Sequence, residues 1–129
     1  MKTTTLILLF LSVATWGLAQ EKEKRIDEFE MKKYFMVFLK KGEKRDQDTA
    51  TVNKLQAQHM EHLTKMYKEG RMCLAGPFLD NEEIRGICVY NVATKEEAEK
   101  WANQDPAVKA GRLKVEVNTW YAAKDSKLP

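Results

Sequence analysis

Two histidines carry the acid–base chemistry that this sequence offers near neutral pH, and one of them stands out by its position. Residues 49–69 carry apolar side chains at intervals of three and four, which predicts a helix with one apolar face. His59 falls in the middle of that face, between Leu55 and Leu63, whereas His62 falls near its edge. Because a polar ring in such a place needs a partner, His59 is either a satisfied core residue or a general base.

Asp105 is the carboxylate that the sequence places best to be the partner of His59. A second predicted helix ends just before Asp105, and in the fold derived below the end of that helix lies near the first helix. Asp105 also has a purely structural interpretation, because an aspartate followed by Pro106 can begin a short helix that Gly111 closes. The sequence leaves both roles of Asp105 open.

The sequence predicts neither a metal nor a cofactor. His59 and His62 are three residues apart, but they do not match the HExxH pattern, and no further ligands can be identified. The two cysteines do not form a CxxC pair. The sequence also lacks a phosphate-binding loop, a dinucleotide fingerprint and a nucleophilic serine or cysteine motif.

The two cysteines, Cys73 and Cys88, lie in short apolar segments on either side of a polar turn at Asp80-Asn81. If these segments pair about the centre of that turn, the two thiols face each other and a strained disulfide can form. A slip of one residue would place them on opposite faces of the hairpin. We favour two buried free thiols over the disulfide.

Residues 1–19 have the pattern of a secretory signal peptide. A lysine precedes an apolar segment over residues 6–14, and small residues lie at the positions that cleavage before Gln20 requires. The apolar segment is shorter than the ~20 residues of a membrane span, so we expect no stable membrane anchor after cleavage. We predict export to the periplasm or secretion, with residues 20–31 as a charged leader.

The remaining sequence alternates between strand and helix patterns. Strands are predicted over residues 33–39, 71–78, 84–91 and 113–121, and helices over 49–69 and 94–103. The order β-α-β-β-α-β predicts an α+β, ferredoxin-like fold, in which a four-stranded antiparallel sheet has two helices on one face. The other face then needs a cover, and a second copy of the chain would provide it.

Length and composition limit the classes of function. A chain of 129 residues fits one domain and excludes large multidomain enzymes. With 43% hydrophobic and 32% charged residues, it is neither a disordered tail nor a membrane bundle. A net charge of +3, spread along the chain, gives no reason to expect a nucleic-acid partner.

The order and spacing of several segments resemble the YCII-related family. These segments are His59 eleven residues before Gly70, residues 69–77, Asp80, Arg85-Gly86, residues 94–98, Asp105-Pro106, Gly111 and the final VEVNTW. The resemblance covers residues 32–123, which we take as the domain, followed by a tail over residues 124–129.

The resemblance implies a protomer of the dimeric α+β barrel class, usually a homodimer, with a small-molecule site around His59. It implies His59 and Asp105 as a catalytic pair, and Gly76, Pro77 and Asp80 as substrate-binding residues. Some relatives resemble enzymes of small aromatic compounds, such as dehydrochlorinases, so we expect lyase, isomerase or hydrolase chemistry. The alternative is a non-catalytic binding or structural homodimer in which His59 is a core residue.

Overall fold

The computed structural model describes residues 23–129, so the signal peptide predicted over residues 1–19 lies outside the described part of the chain. Residues 23–30 are exposed and contain one 3₁₀ turn, Ile26–Glu28. The four strands are β1 (Met31–Lys41), β2 (Met72–Pro77), β3 (Ile84–Tyr90) and β4 (Leu113–Ala123). They form one antiparallel sheet in the order β2-β3-β1-β4, which confirms the predicted four-stranded antiparallel sheet.

Local capping sequences set the ends of the helices. The helices are α1 (Thr49–Lys68), α2 (Lys95–Ala102) and the short α3 (Pro106–Lys109). The backbone N–H of Thr51 donates to the Asp48 carboxylate at 2.7 Å, and Gly70 ends the helix with a φ of 71°. Thr94 caps α2 by accepting from the N–H of Glu97 at 3.1 Å. Within residues 23–129, no helix has both the length and the apolar character needed to cross a membrane.

The core lies between the helices and one face of the sheet. Met66 of α1 and Ala98 and Ala102 of α2 belong to the same cluster of buried side chains. The sheet contributes Phe35, Val37, Leu39, Met72, Cys88, Tyr90 and Val117 to that cluster. Both long helices therefore pack on one face of the sheet, which is the predicted ferredoxin-like arrangement.

The first and the last strand along the chain are longer in the structure than in the prediction. β1 and β4 pair without interruption from Met31–Ala123 to Lys41–Leu113, so each extends beyond the ranges 33–39 and 113–121. The additional residues of β1 are lysines and Met31, which have little strand preference of their own. The pairing of two long neighbouring strands, rather than local preference, holds them in the sheet.

The alternative alignment that would place Cys73 opposite Cys88 does not occur. Cys88 pairs with Ala75, and the register shifts between Met72 and Leu74, so Cys73 is the extra residue of a β-bulge. Both thiols are free. Cys88 is buried as predicted, but Cys73 is exposed, because the bulge removes it from the regular alternation of the strand.

No helix of residues 23–129 packs on the opposite face of the sheet. Met36 and Phe38 alternate along β1 with the helix-facing Val37, and Phe38 pairs with Ile87 of β3. These apolar side chains are half-buried, and Trp120 of β4, which also lies on this face, is 40% exposed. This face is called the outer sheet face below.

Candidate active site

A cavity of about 630 Å³ lies between α1 and the β2–β3 hairpin. Its α1 wall includes Val52, Leu55, His59 and Leu63, the residues of the predicted apolar face. Three of these four side chains, Val52, Leu55 and Leu63, are only half-buried, and Leu63 also packs against the core. The predicted core face of α1 is therefore mostly the wall of a site, and Met66 is its fully packed member. A cavity of this size suits a small molecule.

His59 and Asp105 are brought together across 46 residues of sequence. The Nδ1 atom of His59 lies 2.5 Å from Oδ2 of Asp105, and both residues are buried. The contact forms because α3 packs against α1, and Asp105 is the residue at which α3 begins. The pairing expected from the topology is thus present in the geometry, while the catalytic role of the pair stays a prediction.

Asp105 serves two partners with its two oxygens. Its Oδ1 accepts from the backbone N–H of Ala107 at 2.9 Å, which caps α3, and Pro106 occupies the first turn. Its Oδ2 faces the ring of His59. The capping and orienting roles that the sequence left as alternatives are therefore compatible, and the cap holds the carboxylate in position for the imidazole.

The other ring nitrogen of His59 is free. A carboxylate at Nδ1 accepts a hydrogen bond, so the neutral ring carries its proton on Nδ1 and a lone pair on Nε2. Nε2 of His62 is buried away from solvent and has no hydrogen-bond partner in the described part of the chain. It is the one such side-chain nitrogen or oxygen within residues 23–129. Nε2 of His59 is accordingly not sealed, and His59 is part of the cavity wall. His59 therefore has a carboxylate at one ring nitrogen and no hydrogen-bond partner among residues 23–129 at the other.

Two of the three predicted substrate-binding residues lie at the cavity. Gly76 and Pro77 line it at the end of β2, and a Cβ atom at Gly76 would meet no other atom within 4 Å. Asp80 is not in the cavity wall. It lies in the exposed β2–β3 loop, where its carbonyl accepts from Nη1 of Arg85 at 3.0 Å. The turn role that its sequence context also allows is the one seen in the structure.

Neither cysteine of the cavity wall is a ready nucleophile. Burial, together with the charge of nearby Asp105, raises the pKa of the Cys88 thiol to about 12. Burial also raises the pKa of Cys73, whose thiol donates to the carbonyl of Val89 at 3.5 Å. His62 is outside the cavity wall, and burial lowers its pKa, with Asp105 opposing that shift. No group of three His, Cys, Asp or Glu side chains suited to a metal occurs within residues 23–129.

Arg45, Arg85 and Arg112 also line the cavity, and we call them the arginine cluster. Arg45 precedes α1, Arg85 belongs to β3, and Arg112 precedes β4. Sequence reasoning did not identify the cluster, because its members are separated by 40 and 27 residues and form no local pattern. The topology alone places them at one cavity.

The model of the YCII-related domain matches residues 34–121. Muconolactone isomerase has a similar structure, with a TM-score of 0.57, 19% identity, and coverage of 74% of this chain and 96% of that one. The 5-chloro-2-hydroxyhydroquinone dehydrochlorinase of Burkholderia phenoliruptrix AC1100, solved with 2,5-dihydroxybenzoquinone, has a TM-score of 0.52 and 18% identity. That match covers 67% of this chain and 92% of the dehydrochlorinase. Both similarities show the fold alone, which is the predicted α+β, ferredoxin-like one. No curated protein matches the sequence significantly.

Proposed function

The chain belongs to the YCII-related domain family, and on that basis we propose that it is a small-molecule enzyme in which His59 transfers a proton. The observation that carries this proposal is the free Nε2 of His59 at the cavity, with Nδ1 bound to the buried carboxylate of Asp105. A core histidine would have its ring enclosed by packed side chains. An open nitrogen at a cavity supports the base over the core role.

The chemistry follows from these two residues. Nε2 accepts a proton from an acidic C–H or O–H of the substrate, and the carboxylate of Asp105 stabilises the imidazolium that results. The same Nε2–H then returns the proton to another atom of the substrate in an isomerisation. In an elimination, a leaving group departs with its electron pair instead. The raised thiol pKa values of the two cysteines favour proton transfer over covalent catalysis.

The substrate test uses the compounds named with the two similar structures. Muconolactone and 2,5-dihydroxybenzoquinone are incubated with the protein in deuterated buffer, and exchange of their carbon-bound protons for deuterium is followed by NMR. We expect His59→Gln to slow the exchange by about a hundredfold or more. The matched control is His62→Gln, the same substitution on the same helix outside the cavity wall, and it should leave the rate unchanged. A folded His59→Gln protein with the full rate contradicts the proposal.

A second test needs no substrate. ¹⁵N NMR of the imidazole rings reports which nitrogen carries the proton. The proposal expects the neutral ring of His59 to be protonated at Nδ1 and unprotonated at Nε2. A ring protonated at Nε2 could not act as the base at the cavity and would support the non-catalytic alternative.

Assembly and location complete the proposal. We propose a homodimer that closes over the outer sheet face, since this face exposes apolar side chains. We also propose export, which rests on the signal-peptide pattern of residues 1–19. Mass spectrometry of the protein from its native host should then find a chain that begins at Gln20. A chain retaining residues 1–19 contradicts export by this route.

A further inference from the structure

The charge of the cavity wall has one sign. The wall contains the three positively charged side chains of the arginine cluster. Among residues 23–129, it contains no aspartate or glutamate that could balance their charge. The chain as a whole has 22 basic and 19 acidic residues, so the composition does not produce this imbalance. The fold concentrates positive charge where a ligand would bind.

The arginines of the cavity differ from the other arginines within residues 23–129 in having no carboxylate partner. Outside the cavity, Arg25 forms an ion pair with Asp27 at 3.1 Å, and Arg71 forms one with Glu69. No member of the arginine cluster has a carboxylate of the described chain within 4.0 Å. Glu83, whose charge acts on Arg45, forms an ion pair with Lys114 at 3.5 Å instead.

Neutral acceptors hold the cluster in place without neutralising it. Nη1 of Arg45 donates to the carbonyl of Arg112 at 2.7 Å, and Nη1 of Arg112 donates to Oε1 of Gln47 at 3.2 Å. Nη1 of Arg85 donates to the carbonyl of Asp80 at 3.0 Å and to Oδ1 of Asn81 at 3.1 Å. Each guanidinium has five N–H donors, so the contacts within residues 23–129 leave most donors of the cluster available.

The charges of Arg85 and Arg112 both act on the guanidinium of Arg45. Slight desolvation of the guanidinium lowers the pKa of Arg45, the charges of Arg112 and Arg85 lower it further, and Glu83 opposes them. Holding like charges together costs free energy, and an anion between them would recover it. The guanidinium fork also matches the two oxygens of a carboxylate.

A chain of backbone contacts connects the cluster to the histidine. The N–H of Arg112 donates to the carbonyl of Ala107 at 3.1 Å, and the N–H of Ala107 donates to Asp105, the partner of His59. The cluster and the base thus belong to one continuous wall. The same cavity is also lined by apolar side chains, including Leu55, Leu63 and Met72.

We infer that the arginine cluster is the anion-binding end of the cavity, and that the ligand is a small organic acid with an apolar body. The cluster holds the carboxylate, the apolar wall contacts the body, and His59 acts on the body. The assignment of a reaction to this acid rests on the proposed function, whereas binding of the acid does not.

The test compares benzoate with benzamide, which have the same ring and differ in charge. Binding to the purified protein is measured by NMR titration. We expect benzoate to bind at least about tenfold more tightly than benzamide, and less tightly as ionic strength rises. Equal affinity for the two compounds, or no binding of benzoate at millimolar concentration, overturns the inference.

Substitutions assign the effect to the cluster. Arg45→Gln, Arg85→Gln and Arg112→Gln should each weaken benzoate binding several-fold and leave benzamide binding unchanged. The controls Arg25→Gln and Arg71→Gln remove the same charge outside the cavity and should not change benzoate binding. If Arg112→Gln does not fold, Arg45→Gln decides, because Arg45 is an exposed loop residue. Equal losses in controls and cluster variants overturn the inference.

One further variant separates this inference from the proposed function. His59→Gln should retain benzoate binding, because the cluster is intact. Loss of proton exchange in His59→Gln with normal binding supports both ideas. A normal exchange rate in His59→Gln contradicts the proposed function alone. Benzoate binding that is unchanged in the three arginine variants contradicts this inference alone.

Discussion

Asp105 shows how one side chain can satisfy a structural and a chemical requirement together. One carboxylate oxygen caps α3 through the N–H of Ala107, and the other binds Nδ1 of His59. The sequence indicated the cap through Asp105-Pro106, and the topology suggested the partner. It could not show that both hold at once, because each oxygen's partner depends on where α3 packs against α1.

Asp105→Asn should separate these two roles. The amide oxygen can still accept from Ala107, so the free energy of unfolding should change little, whereas Asp105→Ala should lose about 0.5–2 kcal/mol with the cap. The amide N–H₂ would then face Nδ1 of His59 and place the ring proton on Nε2. We therefore expect Asp105→Asn to reduce proton exchange by about a hundredfold or more. Urea unfolding and the exchange assay measure the two effects, and a wild-type exchange rate would disprove the orienting role.

The thiol chemistry also follows from single-residue environments. Because burial raises the pKa of Cys88 to about 12, its thiolate fraction at about pH 8 is on the order of 10⁻⁴. Cys73 is exposed on the bulge and free. We predict that iodoacetamide labels Cys73 but not Cys88 in the native protein, and both after unfolding.

Mass spectrometry of the labelled peptides measures this directly. Labelling of Cys88 should rise only as the pH approaches the raised pKa or as the protein unfolds, since the thiolate is the reactive form. Labelling of both thiols in the native state, or of neither because they are oxidised to a disulfide, contradicts the bulged register.

At the scale of elements, the apolar face of α1 both packs in the core and lines the cavity. The three- and four-residue spacing correctly predicted the helix, and its cap and terminal glycine were readable from Asp48 and Gly70. The spacing could not distinguish a face that packs from one that lines a cavity, because both require apolar side chains. Met66 packs in the core, whereas Leu55 and Leu63 remain half-buried.

This difference predicts unequal costs of truncation along one helix. Met66→Ala should lower the free energy of unfolding by about 2–5 kcal/mol, because it opens a new cavity in packed surroundings. Leu55→Ala should cost less than half as much, because its side chain already faces open space. Urea unfolding of the two variants tests this. Equal losses would mean that the cavity between α1 and the hairpin is closed in solution.

At the scale of the whole molecule, the sheet has one face under helices and one without. Met36, Phe38 and Ile87 lie on the outer sheet face and are only half-buried in the single chain. Covering them with a second copy would remove apolar surface from water, which is the main driving force for such association. The proposed homodimer follows from this face and from the fold class.

Phe38→Glu should convert the protein to a monomer, because the dimer would have to bury an unpaired carboxylate. Sedimentation velocity measures the oligomeric state, and we expect the dimer dissociation constant to rise by about a hundredfold or more. The control is Leu128→Glu, which adds the same charge to a leucine that is 71% exposed in the tail. A monomeric wild type, or an unchanged dimer of Phe38→Glu, contradicts the proposed assembly.

The sequence by itself determined the element types, their order and the candidate base, because periodicity, capping residues and turn residues act over a few neighbouring positions. It also determined the resemblance that pointed to the fold. The tertiary structure alone decided the β2–β3 register, the bulge at Cys73 and the displacement of Asp80 from the site. It alone brought the arginine cluster to the cavity of His59, because residues from three elements meet there only once the sheet and helices have packed.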